Sequence, residues 1–128
     1  LKVYGSPWQP RFFDWAFNVD RGPPIAAIWA NIPADTDILI THGPPAGIAD
    51  ETFTGQRAGC VDLLARVRMV RPKLHVFGHI HEAAGVVEDA DTVFVNASSI
   101  YEGRGFVLNW DGKRILTHDG TTPASPPR

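Results

Sequence analysis

The chain contains a single cysteine, Cys60, so no internal disulfide can form. That fits a reducing, cytoplasmic compartment. Net charge is also small: 12 Lys and Arg against 14 Asp and Glu leave −2. This gives no nucleic-acid-binding patch and no general attraction to an anionic membrane surface. No apolar run approaches the roughly 20 residues of a membrane span. No basic and apolar leader opens the sequence, and no internal repeat is present. What remains is 128 residues at 44% hydrophobic content, enough for one domain or part of one. The first residue is Leu1 and a strand pattern begins at once, so the chain is expected to start inside a larger protein.

Residues 1–5 read as a short strand stopped by Ser6-Pro7. Trp8 to Asn18, rich in Trp and Phe, reads as a loop pinned to the core by aromatic anchors, with nucleobase stacking as the alternative use of a ring. Pro23-Pro24 can open a helix over Ile25 to Ala30. Asp37 to Thr41 is a nearly continuous apolar run, the pattern of a buried strand. Residues 46–58 are polar and read as a surface loop. Gly59 to Val70 is the clearest helix, with Cys60, Leu63, Leu64, Val67 and Val70 on one face. Asp62 and Arg66 stand at i,i+4 on it, and Arg71-Pro72 ends it. Lys73 to Phe77 is a second buried strand. Val86-Val87, Thr92 to Val95, Gly105 to Asn109 and Arg114 to Thr117 read as short strands, the last two joined by the hairpin signal Asp111-Gly112. The Pro- and Ser-rich residues 121–128 read as a disordered tail.

The chemistry is concentrated where two apolar strands end in histidine. The first runs into His42-Gly43-Pro44-Pro45 and the second into Gly78-His79-Ile80-His81. In open α/β sheets, ligands gather outside the carboxyl ends of strands, so these histidines can converge although far apart in sequence. Imidazole suits Zn, Fe, Mn or Ni, and a His-x-His turn can present two rings to neighbouring metal ions. The competing reading of any one of them is a packed or solvent-facing side chain. Gly78 permits a tight turn and a close approach to a bound anion, and Gly43-Pro44-Pro45 stiffens the loop holding His42. His75, mid-strand, reads as a hydrogen-bonded core or face residue, and His118, near the tail, has no assigned role.

Taken in order, several segments resemble one family. They are Lys2 to Pro10, Trp15 to Asn18, Asp37 to Pro45, Gly59-Cys60, Arg71 to Glu82 and Val95 to Ser98. Together they look like the metallophosphoesterase-domain-containing (MPPED) subgroup of the calcineurin-like metallophosphoesterases, C-terminal half only. The resemblance implies an α/β fold, the C-terminal half of a four-layer α/β/β/α sandwich spanning residues 1–120. It also implies a dinuclear centre of two divalent metal ions (Mn, Fe, Zn or Mg) in the complete enzyme. By the family pattern His42 and His79 would bind one metal and His81 the other, with Gly43 and Gly78 near the substrate. Asn96 would be structural. The implied activity is hydrolysis of a phosphodiester or nucleotide substrate, cyclic nucleotides being one option.

The departures from the family pattern bear on activity. An Asp-x-His pair, a Gly-Asp and a Gly-Asn-His segment belong to the missing N-terminal half, and none occurs here. Glu82 directly follows His81, while Asp50 and Glu51 fall in a loop, so no carboxylate is placed to bridge two cations. The chain carries no complete catalytic set of its own. The rival readings are a catalytically inactive fragment or split subunit, and a single-metal binding module.

Overall fold

A computed structural model describes residues 1–101, 103, 105 and 107–112, together with the backbone of residues 115–118. The expected tail at 121–128 lies outside the described residues. Five strands form one sheet in the order β1-β4-β5-β7-β6. They are β1 (Val3–Ser6), β4 (Ile38–Thr41), β5 (Leu74–Phe77), β6 (Gly85–Glu88) and β7 (Val93–Asn96). The first four in that order run parallel, and β6 pairs antiparallel with β7. Two small pairs stand apart: β2 (Gln9–Pro10) with β3 (Asn18–Val19), and the hairpin of β8 (Leu108–Trp110) and β9 (Ile115–His118). Gly112 at φ 95° turns that hairpin, as Asp111-Gly112 predicts. Its first strand starts three residues later than the Gly105 the sequence suggested.

Both helices lie on one face of the sheet. α1 (Pro23–Trp29) opens on its two prolines, whose fixed φ suits a first turn. α2 (Val61–Val70) ends where Arg71 turns left-handed at φ 53°. Register puts Leu39, His75, Phe94 and Val87 in one row on the helix side. There Ile25, Trp29, Leu63, Val67 and Val70 close over Leu39, Phe77 and Phe94 as the main core. Each such buried side chain contributes about 1.5–3 kcal/mol. Asp62 and Arg66 do not hold each other: Asp62 accepts from the Gly22 N–H at 3.1 Å, and Arg66 donates to the Ile32 carbonyl.

The opposite face carries Val3, Ile38, Ile40, Leu74, Val76, Val86, Val93 and Val95. Leu74, Val86, Val93 and Val95 form a second cluster against Leu108 and Trp110 of β8. Toward the β1 edge this cover stops, leaving Val3 56% and Ile40 46% exposed. β4 is therefore buried on one side only, not on both as its apolar run suggests. The fold is α/β with a mostly parallel sheet, as expected. Among the described residues there is one main sheet and one helix layer, not four layers. No helix among them is long and apolar enough to cross a membrane.

Residues 46–58 form the surface loop their polarity suggests, with Glu51 and residues 53–57 exposed, but the loop is anchored from within. Ile48 and Asp50 are buried. The Asp50 carboxylate accepts from the N–H groups of Gly47 (2.8 Å) and Gly59 (2.9 Å) and from Arg57 (3.0 Å). The loop is closed around a satisfied buried carboxylate, which anchors it to the fold while most of its residues face solvent.

Candidate metal centre

Because β4, β5 and β7 are parallel, their carboxyl ends share one edge of the sheet. His42 follows β4, Gly78, His79 and His81 follow β5, and Ala97 and Ser98 follow β7. His42, His79, His81, Gly78, Ser98 and Trp15 line one cleft of about 540 Å³ at that edge. His42 Nε2 lies 3.1 Å from His79 Nδ1, within hydrogen-bond reach. His81 lines the same cleft and faces the Tyr101 ring, with centroids 6.2 Å apart. His79 holds φ at 71°, a left-handed backbone that non-glycine residues rarely adopt and that clusters at functional sites.

Burial lowers the pKa of His42, and the neighbouring His81 lowers it further. His79 is lowered by burial, then by His42 and His81, with Glu82 opposing. For His42 and His79 both shifts favour neutral imidazole, the form that binds metal.

Two hydrogen-bonded clamps position these histidines. Buried Asn96 donates to the carbonyls of Ile80 (2.9 Å) and Ala49 (3.1 Å), and its oxygen accepts from the Ser98 N–H at 3.1 Å. Ile80 sits between the two histidines of the Gly-His-x-His turn, so Asn96 fixes that turn from inside the core. The structural role expected of Asn96 is what its bonds perform. On the β4 side, the Thr41 hydroxyl donates to the Gly43 carbonyl (2.8 Å) and contacts His75 Nε2 (2.9 Å). A hydroxyl has one hydrogen, so His75 Nε2 must carry the proton and donate. His75 is thus a fully buried, hydrogen-bonded core residue outside the cleft, as its mid-strand position suggests.

Burial holds the His75 pKa down at about 3. In the unfolded chain it takes a proton near pH 6.5, which the folded state refuses until about pH 3. Its contribution to stability is present above pH 6.5 and lost as pH falls toward 3. The expected loss from this group between pH 7 and pH 5 is about 2 kcal/mol. Urea unfolding at both values should show it, and His75→Gln should remove that share of the pH dependence. Equal slopes in the two proteins would refute the assignment.

The substrate-side glycines divide. Gly78 lines the histidine cleft, but its N–H already donates to the His42 carbonyl at 2.9 Å. Gly43 is buried and lines a neighbouring space of about 370 Å³ on another side of His79. Neither Asp50 nor Glu82 lines the histidine cleft; Glu82 accepts from the Phe53 N–H at 3.1 Å.

Whether these residues suit a metal can be tested by distance. Two nitrogens at about 2.1 Å from a tetrahedral ion lie roughly 3.4 Å apart, close to the 3.1 Å between His42 and His79. That pair fits as two donors to one ion. Among the described residues, however, no group of three His, Cys, Asp or Glu is arranged to hold a metal. A two-metal centre is therefore not supplied by them alone.

The aromatic loop, which reads from the sequence first as pinned to the core and alternatively as a stacking element, lies beside this cleft. Its rings do not anchor to the core: Phe13 is 76% and Trp15 56% exposed. Instead Phe12 meets His79 edge-on at a centroid distance of 4.8 Å, and Trp15 stands 6.2 Å from it. Nothing in residue type distinguishes a ring that packs a core from one that packs an imidazole.

No protein-family model matches the chain. It is 56% identical over 100 residues, 77% of its length, to metallophosphoesterase domain-containing protein 1 of Homo sapiens. Two proteins of Caenorhabditis elegans are also similar: UPF0046 protein T07D4.2 at 50% over 75% of this chain, and UPF0046 protein K07C11.7 at 40% over 80%. The chain spans 31%, 24% and 35% of these three relatives respectively.

Proposed function

This chain belongs to the metallophosphoesterase domain-containing group, and on that premise we propose that its histidine cleft is the imidazole side of a hydrolytic metal centre acting on a phosphodiester. The observation that carries the reading is the 3.1 Å approach of His42 Nε2 to His79 Nδ1 at the carboxyl edge of a parallel sheet. His42 and His79 would hold one divalent cation and His81 would face a second. A bound divalent cation supplies polarisation of the phosphoryl oxygens and activation of a water. Partial burial lowers the pKa of His42 and His79 toward the neutral form, and Asn96 fixes the His79–His81 turn.

On this reading the remaining ligands, including a bridging carboxylate, come from elsewhere in the whole protein. The exposed Val3–Ile40 face of the sheet is where a second sheet would pack. Alone, the chain is a single-metal module without turnover. A cyclic nucleotide is the proposed substrate, and Mn²⁺ the proposed metal for assay.

The test uses a full-length relative. Replacing the counterparts of His79 and His81 by Ala should lower metal content and bis(p-nitrophenyl) phosphate hydrolysis together, by on the order of 100-fold in rate. Unchanged hydrolysis in both variants would remove the role assigned to them.

A further inference from the structure

His75 stands in the row of the sheet that faces the helices, between Leu39 of β4 and Phe94 of β7. Its surroundings there are apolar: the Phe77 and Phe94 rings meet it at centroid distances of 5.0 and 5.8 Å. Nε2 meets the Thr41 hydroxyl, while Nδ1, equally buried, has no hydrogen-bond partner among the described residues. A buried polar atom without a partner is costly, and a leucine would fill this place without that cost. Folds keep such half-satisfied groups where they serve a site. The reason for an imidazole here is the one bond it makes.

That bond crosses from one histidine-bearing strand to the other. His75 belongs to β5, which leads into His79 and His81; Thr41 ends β4 and precedes His42. With the proton on Nε2, the Thr41 hydroxyl hydrogen is left to the Gly43 carbonyl, at 2.8 Å. With the proton on Nδ1 instead, the hydroxyl would turn to Nε2 and release Gly43. The neighbouring carbonyl, that of His42 itself, accepts from the Gly78 N–H at 2.9 Å. His42 thus lies between two anchored carbonyls, and both anchors lead back to β5. One is backbone to backbone. The other hangs on a hydroxyl rotor whose direction His75 sets.

We propose that His75 is a positioning residue for the metal donor His42, acting through Thr41 to hold the 3.1 Å approach of His42 to His79. The proposal rests on reading the cleft as a metal centre, and it names a residue outside the cleft that tunes it. Partners that fix the direction of a donor raise metal affinity, because less ordering is left to do on binding. His75 touches neither ion nor substrate; it acts by where it holds the β4 loop.

The test is calorimetric titration of the purified chain with zinc. Thr41→Val and His75→Leu should each weaken zinc binding on the order of tenfold. In Thr41→Val, adding His75→Leu should cost nothing more, because the hydroxyl it acts through is gone. His75→Gln, whose amide N–H can stand in for Nε2–H, should stay within about threefold of the parent. A role in packing alone gives neither that rescue nor that non-additivity. Zinc affinity unchanged in His75→Leu, or lowered by it as much in Thr41→Val as in the parent, overturns the proposal. Should His75→Leu fail to fold, the metal-free parent decides. Its His75 ring nitrogen signals, assigned by their absence in His75→Gln, should show the proton on Nε2 at neutral pH, and a proton on Nδ1 overturns the proposal. A parent that binds no zinc brings down the metal reading and this proposal with it. A parent that binds zinc no better than His75→Leu brings down the proposal alone.

Discussion

Supplied with Mn²⁺, the 128-residue chain is expected to hydrolyse bis(p-nitrophenyl) phosphate at least about 1,000-fold more slowly than a full-length relative, because sets of groups that act together lose most of their effect when incomplete. The site explains why. Its donors are imidazoles, which are neutral and cannot offset the repulsion of two dications. Two unit charges 4 Å apart already cost roughly 4 kcal/mol near a protein surface, and two divalent ions several times that. The acids near the histidine motifs in sequence are engaged otherwise: Asp50 is buried on Gly47, Gly59 and Arg57, and Glu82 is bonded to the Phe53 N–H. Turnover within about tenfold of the relative's, abolished by His81→Ala, would show that the chain assembles a complete site by itself.

The second large effect is structural. A Cβ placed on Gly59 would lie 2.3 Å from the Pro45 carbonyl oxygen and 2.7 Å from the Ala46 Cα, both backbone atoms that cannot swing aside. Here two loops cross. The Cys60 N–H donates to the Pro44 carbonyl, and the Ala46 N–H to the Cys60 carbonyl, each at 3.0 Å. Arg21 clasps the carbonyls of Ala58 and Gly59 from the other side. Gly59→Ala must push the His42-Gly43-Pro44-Pro45 loop away from α2. The expected cost is about 3 kcal/mol, at the upper end for overpacking, with a fall in Tm on the order of 10 °C. Zinc affinity should fall with it, because His42 rides on the displaced loop. A Tm within about 2 °C of the parent's would mean the crossing is looser than the distances state.

Much of the fold is legible in the sequence because apolar runs ending in Gly, Pro or His mark strands that stop at a common edge. β4, β5 and α2 follow from such patterns, and so does the gathering of His42, His79 and His81 at one cleft. Other features depend on what covers a surface, which residue type does not report. Ile38 to Thr41 has the same apolar pattern whether one face or two are buried, and Ile40 is half exposed. Aromatic residues are usually inside, so Phe13, Trp15 and Phe17 read as anchors, yet they are displayed. Asp50 reads as a loop carboxylate because only three-dimensional closure brings Gly47, Gly59 and Arg57 around it.

The central claim, that two imidazoles of this chain form one half of a metal centre, is tested most directly by calorimetric titration of the purified chain with zinc. One ion per chain is expected, with affinity falling at least about tenfold in both His42→Ala and His79→Ala, a loss of about 1.4 kcal/mol or more. Two ions bound per chain, or an affinity unchanged in both variants, would contradict it.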